Sequence, residues 1–228
     1  MKKREIKTTN DGSKTLFISE LNEGYHSGHG ALQEAVYVFI KNGFNLVEKC
    51  EINILELGFG TGLNVLVTID EFLKNNKNQI VRYFSLEKYP VSFTEIEDLG
   101  YNFLFDNEKM TEINQKIHTC EWEKEVEILP NFFLTKIQSD FFYLENLQLP
   151  PIDLVYFDCF GARVQPDLWE LPLLKIVTDK MTTDSLFTTY SSKGSVRRAL
   201  KELGLNVEKK AGPPGKREMI NAWKSTIL

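Results

Sequence analysis

Four places in the sequence put a chemically useful group directly after a run of strand-favouring residues. INILEL (52–57) leads into the glycines Gly58, Gly60 and Gly62, and RYFSL (82–86) into Glu87. FFLTKIQ (132–138) is followed two residues on by Asp140, and LVYF (154–157) ends directly in Asp158. A carboxylate is costly to desolvate unless it is paired, so Asp158 belongs where a buried strand emerges into a cleft. An acid in that position can hydrogen-bond or deprotonate an amine, freeing its lone pair to act as a nucleophile. The structural alternative for Asp158 is the N-cap of a turn.

The glycine turn, LELGFGTGLN (55–64), carries the strongest local signal. Missing Cβ atoms there let backbone press against a ligand. Its spacing is G-x-G-x-G, and position 63 is leucine, where the dinucleotide fingerprint needs glycine or alanine, so NAD and FAD are disfavoured. Glu56, just before the loop, suits a nucleoside-methionine ligand that brings no pyrophosphate to the helix terminus. Glu87, 27 residues after Gly60, can accept from both ribose hydroxyls, and Asp140 from an adenine amino group. Asn64 and Lys88, neighbours of these groups in the chain, join the cofactor set. Taken together the set points to S-adenosylmethionine; a turn used for packing and a surface pair of Glu87 with Lys88 are the bland readings.

On the acceptor side, Phe160 and Trp169 can wall an apolar or stacking pocket, with Trp169 as a core anchor the alternative. The segment EGYHSGHG (23–30) reads as a loop folding over the cofactor, with Tyr25, Gln33 and Glu34 as lid residues. His26 and His29 within it lack the further ligands a metal site needs, so no metal is expected. Net charge is −5, yet the last 36 residues hold nine Lys/Arg against three Glu, a net of +6 that leaves −11 on the rest. Arg197, Arg198, Lys216 and Arg217 lie in that basic stretch and can engage phosphates. A base exposed in an RNA loop can be stacked and read there without unpairing a duplex. Ordinary solvated faces are the alternative.

The elements that must position these groups alternate. A hairpin near Asp11-Gly12 and a helix over 30–42 form an N-terminal accessory segment, residues 1–50. From Ile52 the pattern gives strands at 52–57, 82–87, 132–138, 152–157 and 185–190, and helices at 64–74, 91–99, 167–180 and 195–203. Two late strands follow, near 206–209 and 218–223, and 101–125 reads as a helical insertion. Alternating strands and helices predict a doubly wound, mostly parallel α/β sheet with ligands at the carboxyl ends of its strands, one domain over 1–228 with a Rossmann-like core over 51–228. No apolar run approaches the roughly 20 residues that span a bilayer. No secretion signal opens the chain, and Cys50, Cys120 and Cys159 are too scattered for a disulfide framework or metal site. A cytoplasmic protein with reduced thiols is the expectation.

In order and with compatible gaps, DGS-x-T-L, Y-H-S-x-H-G-A-L-Q-E, LELGFGTGLN, S-L-E-K-Y-P, F-D-x-F…P-D-x-W, T-Y-S, V-R-R-A-L and G-K-R-E-M resemble the MnmC-like methyltransferase family. The resemblance runs from about Asp11 to the end. It implies a class I S-adenosylmethionine-dependent fold, and a reaction on the 5-aminomethyl group of the wobble 2-thiouridine of certain tRNAs, so that the partner would be a tRNA anticodon loop. It puts Gly58, Gly60 and Gly62 at the methionine part, Glu87 at the ribose, Asp140 near the adenine and Asp158 at the acceptor amine. The fused members carry a flavin-dependent domain afterwards. None is expected after Leu228, so the form the resemblance implies is the stand-alone, MnmD-type methyltransferase. One departure is Cys159, where the family has glycine or alanine. Two rivals stay in view. The first is a small-molecule amine transferase of the polyamine-synthase type, which steep salt dependence of substrate binding would disfavour. The second is a non-catalytic RNA-binding module that has kept a cofactor pocket. An oxidoreductase reading lacks any flavin motif.

Overall fold

A computed structural model describes residues 3–75 and 79–225. The N-terminal segment opens with a three-stranded antiparallel sheet of β1 (Arg4–Thr8), β2 (Lys14–Ile18) and β3 (Glu23–Gly24). The turn between β1 and β2 is organised by Asp11, which accepts from Thr9 and from the Ser13 amide. The same carboxylate accepts from the Gln33 amide, tying the hairpin to the helix α1 (Ala31–Ala35). The expected helix over 30–42 does form, but from Val36 to Lys41 it widens into a π-helical turn, a form frequent near functional sites.

The main sheet is built from β4 (Glu51–Leu57), β5 (Ile80–Leu86), β6 (Glu125–Leu129), β7 (Phe132–Ile137), β8 (Ile152–Phe157), β9 (Met181–Thr189), β10 (Asn206–Ala211) and β11 (Glu218–Lys224). Their order across the sheet is β10-β11-β9-β8-β4-β5-β7-β6. Strands β7, β5, β4, β8 and β9 are parallel; β6 and β11 run against their neighbours, and β10 against β11. The α-helices described after α1 are α2 (Leu63–Lys74), α3 (Phe93–Leu99), α4 (Lys109–Thr119), α5 (Leu171–Lys180) and α6 (Gly194–Glu202). After β4 the chain steps to β5 and β7 on one side, then returns to β8 and β9 on the other. That reversal leaves a crevice at the carboxyl ends of β4 and β8, the place where open α/β sheets take their ligands.

All six residues of β8 are buried, as a strand covered on both faces requires. Asp153, near its amino end, is satisfied by Lys49 at 2.6 Å and by the Asn53 amide at 2.8 Å. Helix α6 buries Val196 and Leu200, four residues apart, and turns Arg198 and Lys201 outward. This is the mostly parallel doubly wound sheet with an N-terminal accessory segment that the strand pattern predicts.

Two local expectations fail. The single helix over 167–180 is two elements: a 3₁₀ turn at Pro166–Trp169, and α5 after an extended Glu170. Pro172 is the cause, because it lacks an N–H and is tolerated only in the first turn of a helix. The edge strand β6, just past the 101–125 insertion, has no counterpart in the predicted strands, and EVEIL exposes alternate charged residues. The insertion itself does contain a 3₁₀ turn, Tyr101–Leu104, and the helix α4. Among the described residues no helix is long and apolar enough to cross a membrane.

Candidate active site

Two adjoining cavities occupy the crevice. The larger, of about 910 Å³, reaches from Gly58 and Gly60 across Glu87 and Asp140 to Phe142. The smaller, of about 330 Å³, lies between Glu34, Tyr190 and Lys216. Tyr25, His26, Asn64, Asp158, Cys159 and Phe160 line both, so the two spaces meet at the end of β8.

The larger cavity is framed by strand-to-helix turns. Gly58, Gly60 and Gly62 have φ of 102°, 51° and 74°, the left-handed region that side chains resist. A Cβ on Gly58 would stand 3.0 Å from the Asp158 carbonyl oxygen, which fixes how closely the turn approaches β8. Gly62 serves a different purpose: it backs onto the His118 ring of α4. Glu87 accepts from the Gly60 amide at 3.0 Å and the Tyr89 amide at 2.8 Å. A carboxylate offers about four lone-pair sites, so each Glu87 oxygen retains capacity for a hydroxyl. Asp140 pairs with Lys88 at 2.7 Å and caps the following turn by accepting from the Phe142 amide. The Lys88 hydrogen bond and that cap hold the Asp140 carboxyl below its ordinary range. Tyr89, Phe141 and Phe142 add aromatic wall beside it. Pairing between Glu87 and Lys88 does not occur; Lys88 goes to Asp140 instead.

At the junction, Asn64 is the central side chain. Its Nδ2 donates to Glu56 Oε1 at 3.0 Å and to Asp158 Oδ2 at 2.8 Å. Glu56 is fully buried, accepts from Ser85 Oγ at 2.5 Å, and has its carboxyl pushed up to about 8 by desolvation. Asp158, ringed by protein, is raised to about 7, first by desolvation; the Glu34 charge raises it, while the Asn64 hydrogen bond and the Lys216 charge oppose. The Tyr25 and Phe160 rings meet edge to face at 5.0 Å, making a corner between the cavities. His26 is held by Thr15 at 3.0 Å, and burial lowers it to about 4, so it is a neutral wall residue at pH 7. Cys159 is buried and its thiol is pushed well up by desolvation, which keeps it protonated and unreactive.

Of the residues singled out from the sequence, Gly58, Gly60, Asn64, Glu87, Lys88, Asp140 and Asp158 converge on the larger cavity. Tyr25, Glu34, Phe160 and Lys216 converge on the smaller one. Five expectations need correction or relocation. Trp169 is a core residue against Phe157, and its Nε1 donates to the Phe160 carbonyl at 2.7 Å, so it braces the wall rather than forming it. Gln33 is exposed and outside both linings. Glu56 lies one layer beneath the cavities, behind Asn64. Gly62 packs against α4. Arg197, Arg198 and Arg217 lie on the surface beyond the cavity rim, with Arg198 and Arg217 exposed. Sequence reasoning missed Tyr190, whose hydroxyl donates to the Cys159 carbonyl at 2.8 Å, and the aromatic Phe142. Tyr190 has a signal in hindsight, as a tyrosine at the carboxyl end of a strand.

A family model described as S-adenosyl-L-methionine-dependent methyltransferase matches residues 108–225. The chain is 25% identical to the tRNA 5-methylaminomethyl-2-thiouridine biosynthesis bifunctional protein MnmC of Actinobacillus pleuropneumoniae serotype 5b, over 92% of this chain and 34% of that protein. It is 27% identical to the protein of that name from Pseudoalteromonas atlantica, over 96% of this chain and 33% of that one. It thus spans about a third of the length of these curated relatives. The crystal structure of MNMC2 from Aquifex aeolicus superposes with a TM-score of 0.81 at 27% identity, covering 99% of this chain and 71% of that one.

Proposed function

The chain belongs to the S-adenosyl-L-methionine-dependent methyltransferase family, and from that premise we propose that it methylates the exocyclic amine of 5-aminomethyl-2-thiouridine at the tRNA wobble position. The donor chemistry of the larger cavity fits the family's cofactor. A carboxylate with free lone pairs at Glu87 suits a ribose, Asp140 beside aromatic wall suits an adenine, and the Gly58–Gly60 backbone suits the methionine end. Bound there, S-adenosylmethionine supplies an electrophilic methyl group. The observation that carries the proposal is that this cavity and a second, smaller one meet at Asp158.

A primary alkylamine is protonated at neutral pH, and its lone pair is not free to attack. Asp158 Oδ, in its ionised form, accepts that proton and holds the nitrogen by the same hydrogen bond. A carboxyl raised to about 7 is matched to such a transfer, being half ionised at working pH yet basic enough to take the proton. Asn64 holds the carboxylate in place through Oδ2, leaving Oδ1 for the substrate. Phe160 and Tyr25 keep water from the junction and orient the base. The tRNA partner is supported by the MnmC relatives and by exposed Lys193, Arg198, Lys201 and Arg217 beyond the smaller cavity.

Nucleoside mass spectrometry of bulk tRNA from cells lacking the protein tests this reading. The 5-methylaminomethyl-2-thiouridine should vanish and the unmethylated amine accumulate in its place. An unchanged nucleoside profile would overturn it.

A further inference from the structure

The smaller cavity contains an ion pair that the methyl transfer itself does not need. Lys216 Nζ meets Glu34 Oε1 and lies 3.8 Å from the centre of the Tyr190 ring. Glu34 belongs to α1 near the start of the chain; Lys216 lies in the turn between β10 and β11, 182 residues later. The other Glu34 oxygen accepts from the Ser27 amide at 3.0 Å, so the carboxylate is fixed in direction. Glu34 is 8% exposed, whereas the Lys216 side chain keeps 31% of its surface open. The pair thus joins a held, desolvated acid to a long side chain with one foot in solvent.

Chemically, Lys216 presents a primary alkylammonium to a carboxylate and an aromatic face, inside the cavity where Asp158 waits. An aminomethyl substituent is also a primary alkylammonium. We propose that Glu34 is the recognition group for the acceptor's ammonium, with Lys216 holding that place until RNA docks and then turning out to a phosphate. This rests on the amine-methylation reading above. The exchange leaves the buried Glu34 carboxylate paired throughout, avoiding the penalty of an isolated buried charge. It also preserves one positive charge beside Asp158, whose ionisation the Lys216 charge favours and the Glu34 charge opposes. Room for the departing lysine exists on the solvent side, where Pro214, Gly215 and Arg217 are exposed. The turn stays seated on the N-terminal segment meanwhile, because Gly215 packs directly on the His29 ring.

Two substrates separate the roles: tRNA bearing the aminomethyl base, and the free 5-aminomethyl-2-thiouridine nucleoside, which has no phosphate. Lys216→Met should lower KM for the nucleoside about tenfold by vacating Glu34, while raising KM for the tRNA by losing a phosphate contact. Glu34→Gln should raise KM for both about tenfold or more, with kcat changed far less and S-adenosylmethionine affinity by calorimetry unaffected. Lys216→Arg should restore tRNA binding without freeing Glu34 for the nucleoside. Melting curves verify that each variant folds, and the Lys216 variants stand alone if Glu34→Gln does not. Parallel weakening of both substrates by Lys216→Met would reduce the pair to a structural salt bridge and overturn the proposal, as would Glu34→Gln with unaltered KM. A wild-type protein that methylates neither substrate would sink the underlying reading, and this inference with it.

Discussion

The two cavities are built by different means although they share a wall. The groups that suit the cofactor in the larger one sit at the ends of main-sheet strands or within a few residues of them: Gly58 and Gly60 after β4, Glu87 after β5, Asp140 after β7 and Asp158 after β8. The sheet alone fixes their mutual positions. The smaller cavity is instead assembled from the two ends of the chain, with Tyr25 and Glu34 from the N-terminal segment and Lys216 from the last hairpin, closed over Tyr190 and Asp158. A cofactor pocket of the first kind can persist across enzymes that do different chemistry, while acceptor choice is delegated to peripheral segments. Binding of the methyl donor and recognition of the acceptor should therefore be separable by mutation.

Asp158→Ala is the strongest way to break that separation. The residue lines both cavities, yet its proposed work is entirely on the acceptor amine. Its removal should lower kcat by about 10²–10⁴, the usual range for a lost general base. Affinity for S-adenosylmethionine, followed by calorimetry, should stay within a few-fold. Turnover that survives, or donor affinity that collapses in step with kcat, would mean that the two halves are not independent at β8.

The same division explains what the sequence made legible. A strand pattern followed by a glycine turn or an acid is contiguous, so the larger cavity can be read from Leu55–Asn64, Glu87, Asp140 and Asp158 without knowing any tertiary contact. Naming those residues does not require the strand order, although it is that order that brings them together. The smaller cavity depends on a pair 182 residues apart, and nothing local in LQEA or GKRE says that the two meet. Trp169 illustrates the limit. An aromatic near the proposed catalytic acid suits a substrate wall and a core equally well, and here packing on Phe157 and Tyr190, with the Nε1 bond to the Phe160 carbonyl, places it in the core. Glu56 is similar: an acid before a glycine turn looks ligand-facing, but alternation along β4 points it inward beneath Asn64.

Asn64→Leu should have a smaller effect, on the acceptor side alone. The amide nitrogen of Asn64 stabilises the ionised form of Asp158, so losing it raises the carboxyl further above about 7. Because the ionised acid is the proposed active form, the acid limb of the kcat–pH profile should move to higher pH. A hydrogen bond to a charged group is worth about 1.5–3 kcal/mol, which corresponds to a movement of about one to two pH units. Activity at pH 7 should fall accordingly and recover in part in more alkaline buffer. A profile that drops without moving would assign Asn64 to cofactor contact rather than to positioning Asp158.

Glu56→Gln carries the smallest effect on turnover and asks on which side of the division the buried acid lies. Burial pushes the Glu56 carboxyl up to about 8 in the folded protein, against about 4.3 in an unfolded chain. Between those values the native state keeps a proton that the unfolded state has lost. Stability from this group is therefore fully present below about pH 4, declines as pH rises, and is exhausted above about pH 8. Glutamine is neutral throughout and can still bond Ser85 and Asn64, so it removes the decline. Urea midpoints should match at pH 4 to within the cost of rearranging those bonds, and separate in favour of the variant by pH 9. If midpoints of both proteins fall in parallel instead, Glu56 ionises without penalty in the folded state. Its coupling through Asn64 to Asp158 would then be electrostatic, and the acid would belong with the chemistry rather than with the sheet beneath it.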